Sequence, residues 1–229
     1  MTRSIYIFSF CLLFLSNVIG QNIKPSFLER KFNQNLLLIK TKIIADSIVN
    51  IYGDSSSFVI EKIINDIALQ KSLIQQNSTR FDNLICSTYK IPFVIKPLGW
   101  TSDYQHIFSK DQISELDSLI SKFEKQTKNE IAIITIDSSW TTKEKFDSLI
   151  LSIANFWGVG KKDIYNGIVI GICTGLRKIS IQNGYGIEVK LTDSATKKII
   201  DDCILPEFKK GNYFLGTKNG LIELMHKIR

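Results

Sequence analysis

Apolar side chains recur along this chain at two different periods. Leu36, Ile39, Ile43, Ile44, Ile48 and Ile51 fall near helical spacing until Gly53-Asp54-Ser55-Ser56-Ser57 interrupts them. Phe58, Ile60, Ile63, Ile64, Ile67, Leu73 and Ile74 resume the pattern to Gln76. Residues 31–76 therefore predict a helical hairpin with one apolar face on each arm. Those faces either pack on each other and on the next domain of the chain, or form a docking surface for a membrane or another protein. Residues 77–108 read as a connector, with a short strand over Leu84 to Tyr89 and with Pro92 and Pro97 breaking anything longer.

The signals sharpen from Ser109. Ser109-Lys110-Asp111-Gln112 has the form of a capping box, and Ile113, Leu116, Ile120 and Phe123 mark one face of the helix it opens. Glu130 to Ile136 is a nearly unbroken apolar run, as in a strand covered on both faces. Thr141-Thr142-Lys143-Glu144 predicts another capped helix with Phe146, Leu149, Ile150, Ile153 and Trp157 inward and Gly158 as its stop. Gly167 to Cys173 is a second buried strand, and Thr174-Gly175-Leu176 turns it into Arg177 to Asn183 as a hairpin. Two more helices come next, near Asp193 to Ile204 and Gly211 to Ile228, with Leu205-Pro206 between them. The order α-β-α-β-β-α-α implies an α/β fold: a mixed sheet flanked by helices as an α/β/α sandwich, preceded by a helical N-terminal region.

Met1 to Gly20 carries Arg3, an apolar segment from Ile5 to Leu15, and Val18-Ile19-Gly20 before Gln21, which together read as a secretory signal peptide. The apolar segment is shorter than the roughly 20 residues of a spanning helix, an uncleaved anchor being the alternative. Export to the periplasm or beyond is thus expected, with no spanning helix after cleavage. Cleavage leaves 28 basic and 22 acidic side chains, spread evenly and without blocks, which argues against nucleic-acid binding. With 2 His in all, and without C-x-x-C spacing, no zinc site can be assembled. Cys86, Cys173 and Cys203 remain, so at least one thiol stays free; Cys173 and Cys203 suit core filling.

Trp157-Gly158-Val159-Gly160, Asn166-Gly167-Ile168-Val169-Ile170, Gly184-Tyr185-Gly186-Ile187-Glu188 and Leu191-Thr192-Asp193 occur in that order, followed by Pro206, Gly211-Asn212-Tyr213 and Gly216. This series resembles the TPM domain. Trp100-Thr101-Ser102-Asp103 before Ile107-Phe108-Ser109 resembles that family's opening motif. Three segments result: a signal peptide over 1–20, a helical hairpin and connector over 21–99, and a TPM domain over 100–229. The family includes thylakoid-lumen and cyanobacterial proteins of photosystem II repair and many bacterial envelope proteins. The resemblance implies a fold more strongly than a chemistry, since members are described variously as acid phosphatases, calcium-binding proteins and assembly factors.

Right-handed crossover geometry makes the Glu130 and Gly167 strands parallel, which brings the segment before Gly167 and the segment after Asn183 to one end of the sheet. Asp163 and Asn166 from one, with Glu188 and Asp193 from the other, offer oxygen ligands of the type that Ca2+ or Mg2+ prefers. The plainer reading makes Asn166-Gly167 a turn, Asp193 a helix N-cap and Glu188 a solvated charge or a partner of Lys190. Where relatives commonly carry an acid before Asn166, this chain has Tyr165. Gly158-x-Gly160 and Gly184-x-Gly186 are not nucleotide motifs, because the first follows a helix and precedes a strand. Asp201 and Asp202 diverge on a helix, and His106 and His226 have no evident nucleophile beside them. No nucleotide, haem or zinc is expected. Two functions suit these residues: a non-catalytic envelope module that binds a protein partner, with calcium supporting its loops, or a metal-assisted phosphatase at the same acidic end. For catalysis the nearby cations would be Lys161, Lys162 and Lys190.

Overall fold

A computed structural model of the chain describes residues 78–229. The signal peptide expected over 1–20 and the helical hairpin expected over 31–76 lie outside the described residues. The chain divides into two compact units, the first described over residues 78–94 and the second over 95–229. In the first, Ser78–Tyr89 forms helix α1, with Phe81 and Ile85 buried. This corrects the expected strand over Leu84 to Tyr89. The two buried residues stand four apart, the spacing of one helix face, and the Cys86 carbonyl accepts a hydrogen bond from the Ile91 N–H just past the helix end.

The second unit is built on a four-stranded sheet of order β1-β2-β3-β4, comprising Thr101–Asp103, Glu130–Thr135, Gly167–Cys173 and Lys178–Asn183. The first three strands are parallel and the fourth is antiparallel to β3. Glu130 stands opposite Gly167 and Ile133 opposite Ile170, while Ile170 also faces Ile181 across the hairpin. The mixed sheet, the parallel β2–β3 pair and the hairpin agree with the sequence. β1 is an addition to the predicted order, because Thr-Ser-Asp carries no apolar signal. Its side chains are nonetheless buried, and two of them are held by hydrogen bonds: Ser102 Oγ accepts from Leu98 N–H at 2.9 Å, and Asp103 Oδ2 from Phe108 N–H at 2.8 Å.

All residues of β2 and β3 are buried, so both faces of the sheet need a cover. On one face Ile131, Ile133, Ile168, Ile170 and Ile172 join a core with Leu116, Ile120 and Phe123 of α2 (Lys110–Thr127) and with Leu221 and Leu224 from the C-terminal helix. The capping box of α2 is formed in full: Ser109 Oγ accepts from Gln112 N–H, and Gln112 returns the bond to Ser109 N–H at 2.8 Å. On the other face lies α3 (Phe146–Trp157), where Phe146, Leu149, Ile150, Ile153, Phe156 and Trp157 are buried and the Trp157 indole donates to the Ile95 carbonyl at 2.8 Å. Gly158 closes it at φ 67°. The predicted capping box at Thr141 does not open α3. Glu144 is engaged by the Thr142 side chain, and the helix starts at Phe146 behind Lys145, which gives no side-chain cap.

Beyond β4 come a single turn α4 (Tyr185–Glu188), then α5 (Asp193–Ile199), a π-helical segment Ile200–Ile204 and α6 (Leu205–Phe208), and last α7 (Tyr213–Lys227). Thr192, not Asp193, caps α5 through its hydroxyl. Cys86, Cys173 and Cys203 are all free. Among the described residues no helix is long and apolar enough to cross a membrane.

The contact between α3 and the sheet depends on Gly171, where a Cβ would lie 2.3 Å from Ile150 Cδ1. Gly171→Ala is expected to lower stability by about 1–3 kcal/mol in urea unfolding. Ile150→Val, which removes that methyl, should recover part of the loss in the double mutant.

Candidate functional site

The loop entering β3 and the turn leaving β4 meet backbone to backbone. Gly184 N–H donates to Gly167 O at 2.8 Å and Gly186 N–H to Tyr165 O at 3.1 Å. Side chains would prevent this: a Cβ on Gly186 would stand 1.9 Å from the Ile164 carbonyl oxygen, and one on Gly184 would stand 2.2 Å from that of Tyr165. Predicted from topology, this end of the sheet does gather the two segments that carry Asp163, Asn166, Glu188 and Asp193.

The four side chains do different things there. Asn166 is buried; its Oδ1 accepts from Lys161 N–H at 2.9 Å, and its amide donates to Lys128 O at 2.6 Å and Asn129 Oδ1 at 3.3 Å. It ties the end of α2 to the loop before β3. Asp163, in the turn before Tyr165, is exposed, as are Glu188 at the end of α4 and Asp193 at the start of α5. Among the described residues no three His, Cys, Asp or Glu side chains come together in a group able to hold a metal ion. Glu130, read from sequence only as the start of a strand, is buried here and accepts from Gly160 N–H at 2.8 Å, so it too organises the loop. His106 and His226 are exposed, and Asp201 pairs with Lys197 at 2.8 Å.

What the meeting of loops presents to solvent is apolar. Ile164 is 56% exposed, Tyr165 55%, Tyr185 77% and Val189 88%. The two tyrosine rings stand edge to face with centroids 6.2 Å apart, and Tyr165 holds φ 51°, an uncommon backbone for an aromatic residue. Lys162, Asp163, Glu188 and Lys190, neighbours of these residues in sequence, are exposed as well, so both signs of charge accompany the group. In the sequence Tyr165 stands where relatives commonly carry an acid, within the Trp157 to Asn166 loop that is also a candidate surface for a protein partner. Its usable signal is the run of apolar residues in short segments bounded by glycines, where a core cannot form around each of them.

At the opposite end of the sheet the polar side chains are saturated by one another. Asp103 Oδ1 accepts from the Thr135 hydroxyl at 2.7 Å, Thr135 Oγ1 accepts from Gln105 N–H at 2.8 Å, and Gln105 exchanges two bonds with Thr174, at 3.1 and 3.2 Å. Asp137 is exposed, and hydrogen bonds from the Ser139 hydroxyl and N–H hold its carboxyl below the usual carboxylate range. This network joins the C-terminal ends of the three parallel strands.

The sequence profile of one family, the TPM domain, matches residues 101–227. Among solved structures, the N-terminal domain of a protein from P. gingivalis is similar at 25% identity and a TM-score of 0.51, covering 56% of this chain and 80% of that one. The BA42 protein from Bizionia argentinensis is similar at 17% identity and a TM-score of 0.47, covering 55% of this chain and 83% of that one. No curated protein gives a significant match to the chain.

Asn166 separates a structural role from a ligand role. Asn166→Asp sets a carboxylate oxygen against the Lys128 carbonyl in place of an N–H, so stability is expected to fall by about 1–3 kcal/mol, and millimolar calcium should not restore it. A melting temperature that rises with calcium in this variant and not in the parent would make residue 166 a ligand position.

Proposed function

Because the chain belongs to the TPM domain family, we propose that it is an exported, non-catalytic module that binds a protein partner in the cell envelope. The observation that carries this reading is the exposed group Ile164, Tyr165, Tyr185 and Val189, presented on loops whose backbones are fixed against each other. Large apolar side chains exposed together mark interaction surfaces, and tyrosines are frequent anchors in them. Mixed charge around the group suits a protein better than a uniformly anionic lipid surface. The rim acids Asp163 and Glu188 take part as surface charges, and calcium is not required. A metal-assisted phosphatase would need a metal-activated water and a cation aimed at the phosphoryl group; Asn166 is instead occupied by backbone groups.

Tyr185→Ser combined with Val189→Ser removes the most exposed half of the patch, and at such positions the melting temperature should hardly move. Crosslinking of the intact chain in the envelope is expected to lose its protein adduct by about tenfold or more in this variant. Undiminished crosslinking would refute the patch. The envelope form should begin at Gln21, as intact mass will read.

Hydrolysis of a phosphate ester with calcium, magnesium or manganese is expected to be weak and indifferent to Glu188→Ala or Asp193→Ala. A loss of about 100-fold in turnover with either variant, at unchanged melting temperature, would instead make the protein an enzyme.

A further inference from the structure

A concave region of about 580 Å³ lies at the other end of the β3–β4 hairpin, within the range of small-ligand pockets. Its charge is one-sided. Arg177, Lys178 and Lys209 line it, and no acidic side chain does. Lys178 is shared with Asp147 at 3.3 Å, whereas Arg177 and Lys209 have no ion-pair partner among the described residues. The nearest acid along the chain, Glu207, is already held by Lys210 at 2.6 Å and by the Asn212 amide at 3.1 Å.

The rest of the lining is apolar. Ile179 and Leu205 contribute to it, as do Phe208 and Tyr213, whose rings meet edge to face with centroids 5.1 Å apart. Cys173 is buried, and burial pushes its thiol pKa up, so it adds an uncharged surface and no nucleophile. The Thr174 hydroxyl already accepts from Gln105. Helix α7 begins at Tyr213, and its N-cap Asn212 gives no side-chain hydrogen bond to the first turn. An anion near that point would be favoured by the helix as well as by Arg177 and Lys209.

We infer that this pocket binds a small amphiphile, an acyl-type apolar body carrying a carboxylate or phosphate head. The head sits between Arg177 and Lys209, and the body lies against Leu205, Phe208 and Tyr213. An acyl chain asks for no hydrogen bonds and matches these walls; a peptide backbone would need a partner for each N–H and C=O that it buried. The site is distinct from the tyrosine patch. It lies at the far end of β3, whose seven residues span about 20 Å, and it stands or falls apart from the protein-binding reading.

Calorimetric titration of the full chain with four probes below their aggregation limits tests the inference: decanoate, decyl phosphate, decanol and inorganic phosphate. Decanoate or decyl phosphate should bind at least tenfold more tightly than decanol, and inorganic phosphate should show no measurable heat. Whichever of the two anionic probes wins identifies the head. Arg177→Gln with Lys209→Gln, two exposed positions, should weaken the anionic probes at least tenfold while leaving decanol unchanged. Phe208→Ala should weaken decanoate and decanol alike. Equal binding of decanol and the anionic probes, binding unaltered by the double substitution, or no binding by any probe would overturn the inference. Crosslinking through Tyr185 and Val189 is expected to be the same in the Arg177→Gln/Lys209→Gln chain as in the parent.

Discussion

Two lengths of backbone cross without side chains between them where Gly184 and Gly186 lie under the carbonyls of Tyr165 and Ile164. Much of the fold around the loops depends on that contact. It fixes the loop before β3 against the turn after β4, and a buried asparagine and a buried glutamate then hold the loop to the end of α2 and to the start of β2. With its backbone groups satisfied internally, the loop can carry apolar side chains outward without collapsing onto them. The tyrosine pair is therefore presented by a fixed frame, and a partner docking there, as proposed, would meet a lower entropic cost than on a mobile loop.

The sheet imposes the second constraint. Strands buried on both faces demand two helical layers, and the isoleucine-rich runs of β2 and β3 announce this in one dimension. Where burial and apolarity coincide, the chain is legible: both central strands, the hairpin, the capped helix α2 and the glycine stop of α3 can all be read directly. Where they part, it is not. β1 is buried but polar, because its Ser102 and Asp103 find backbone donors that no local pattern foretells. The Thr141 segment has the letters of a capping box, yet Glu144 turns to Thr142 and the helix waits for Phe146.

The candidate site shows the same division. Topology brings the segments of Asp163, Asn166, Glu188 and Asp193 to one end of the sheet, since the antiparallel pairing of β3 and β4 sets Ile168 opposite Asn183. Residue type alone cannot tell what each does there. An asparagine beside carboxylates suits a cation in sequence, but the loop has backbone groups of its own to satisfy and Asn166 serves them. Exposed apolar residues give the weaker signal, because a tyrosine in a short segment reads equally as core or as surface until its neighbours are known.

The π-helical segment over Ile200–Ile204 has a geometric consequence. A π turn holds one residue more than the α turn it replaces, so every side chain downstream is rotated by about 100° from where an uninterrupted helix would carry it. Leu205 and Phe208 line the pocket in this rotated phase, and the backbone at Ile204 comes close enough to α7 that a Cβ on Gly216 would stand 2.8 Å from its carbonyl oxygen. The wall of the cavity is thus set by a count of residues inside a helix. Loss of a single residue there, with no change in composition elsewhere, would turn the same leucine and phenylalanine toward a different neighbour.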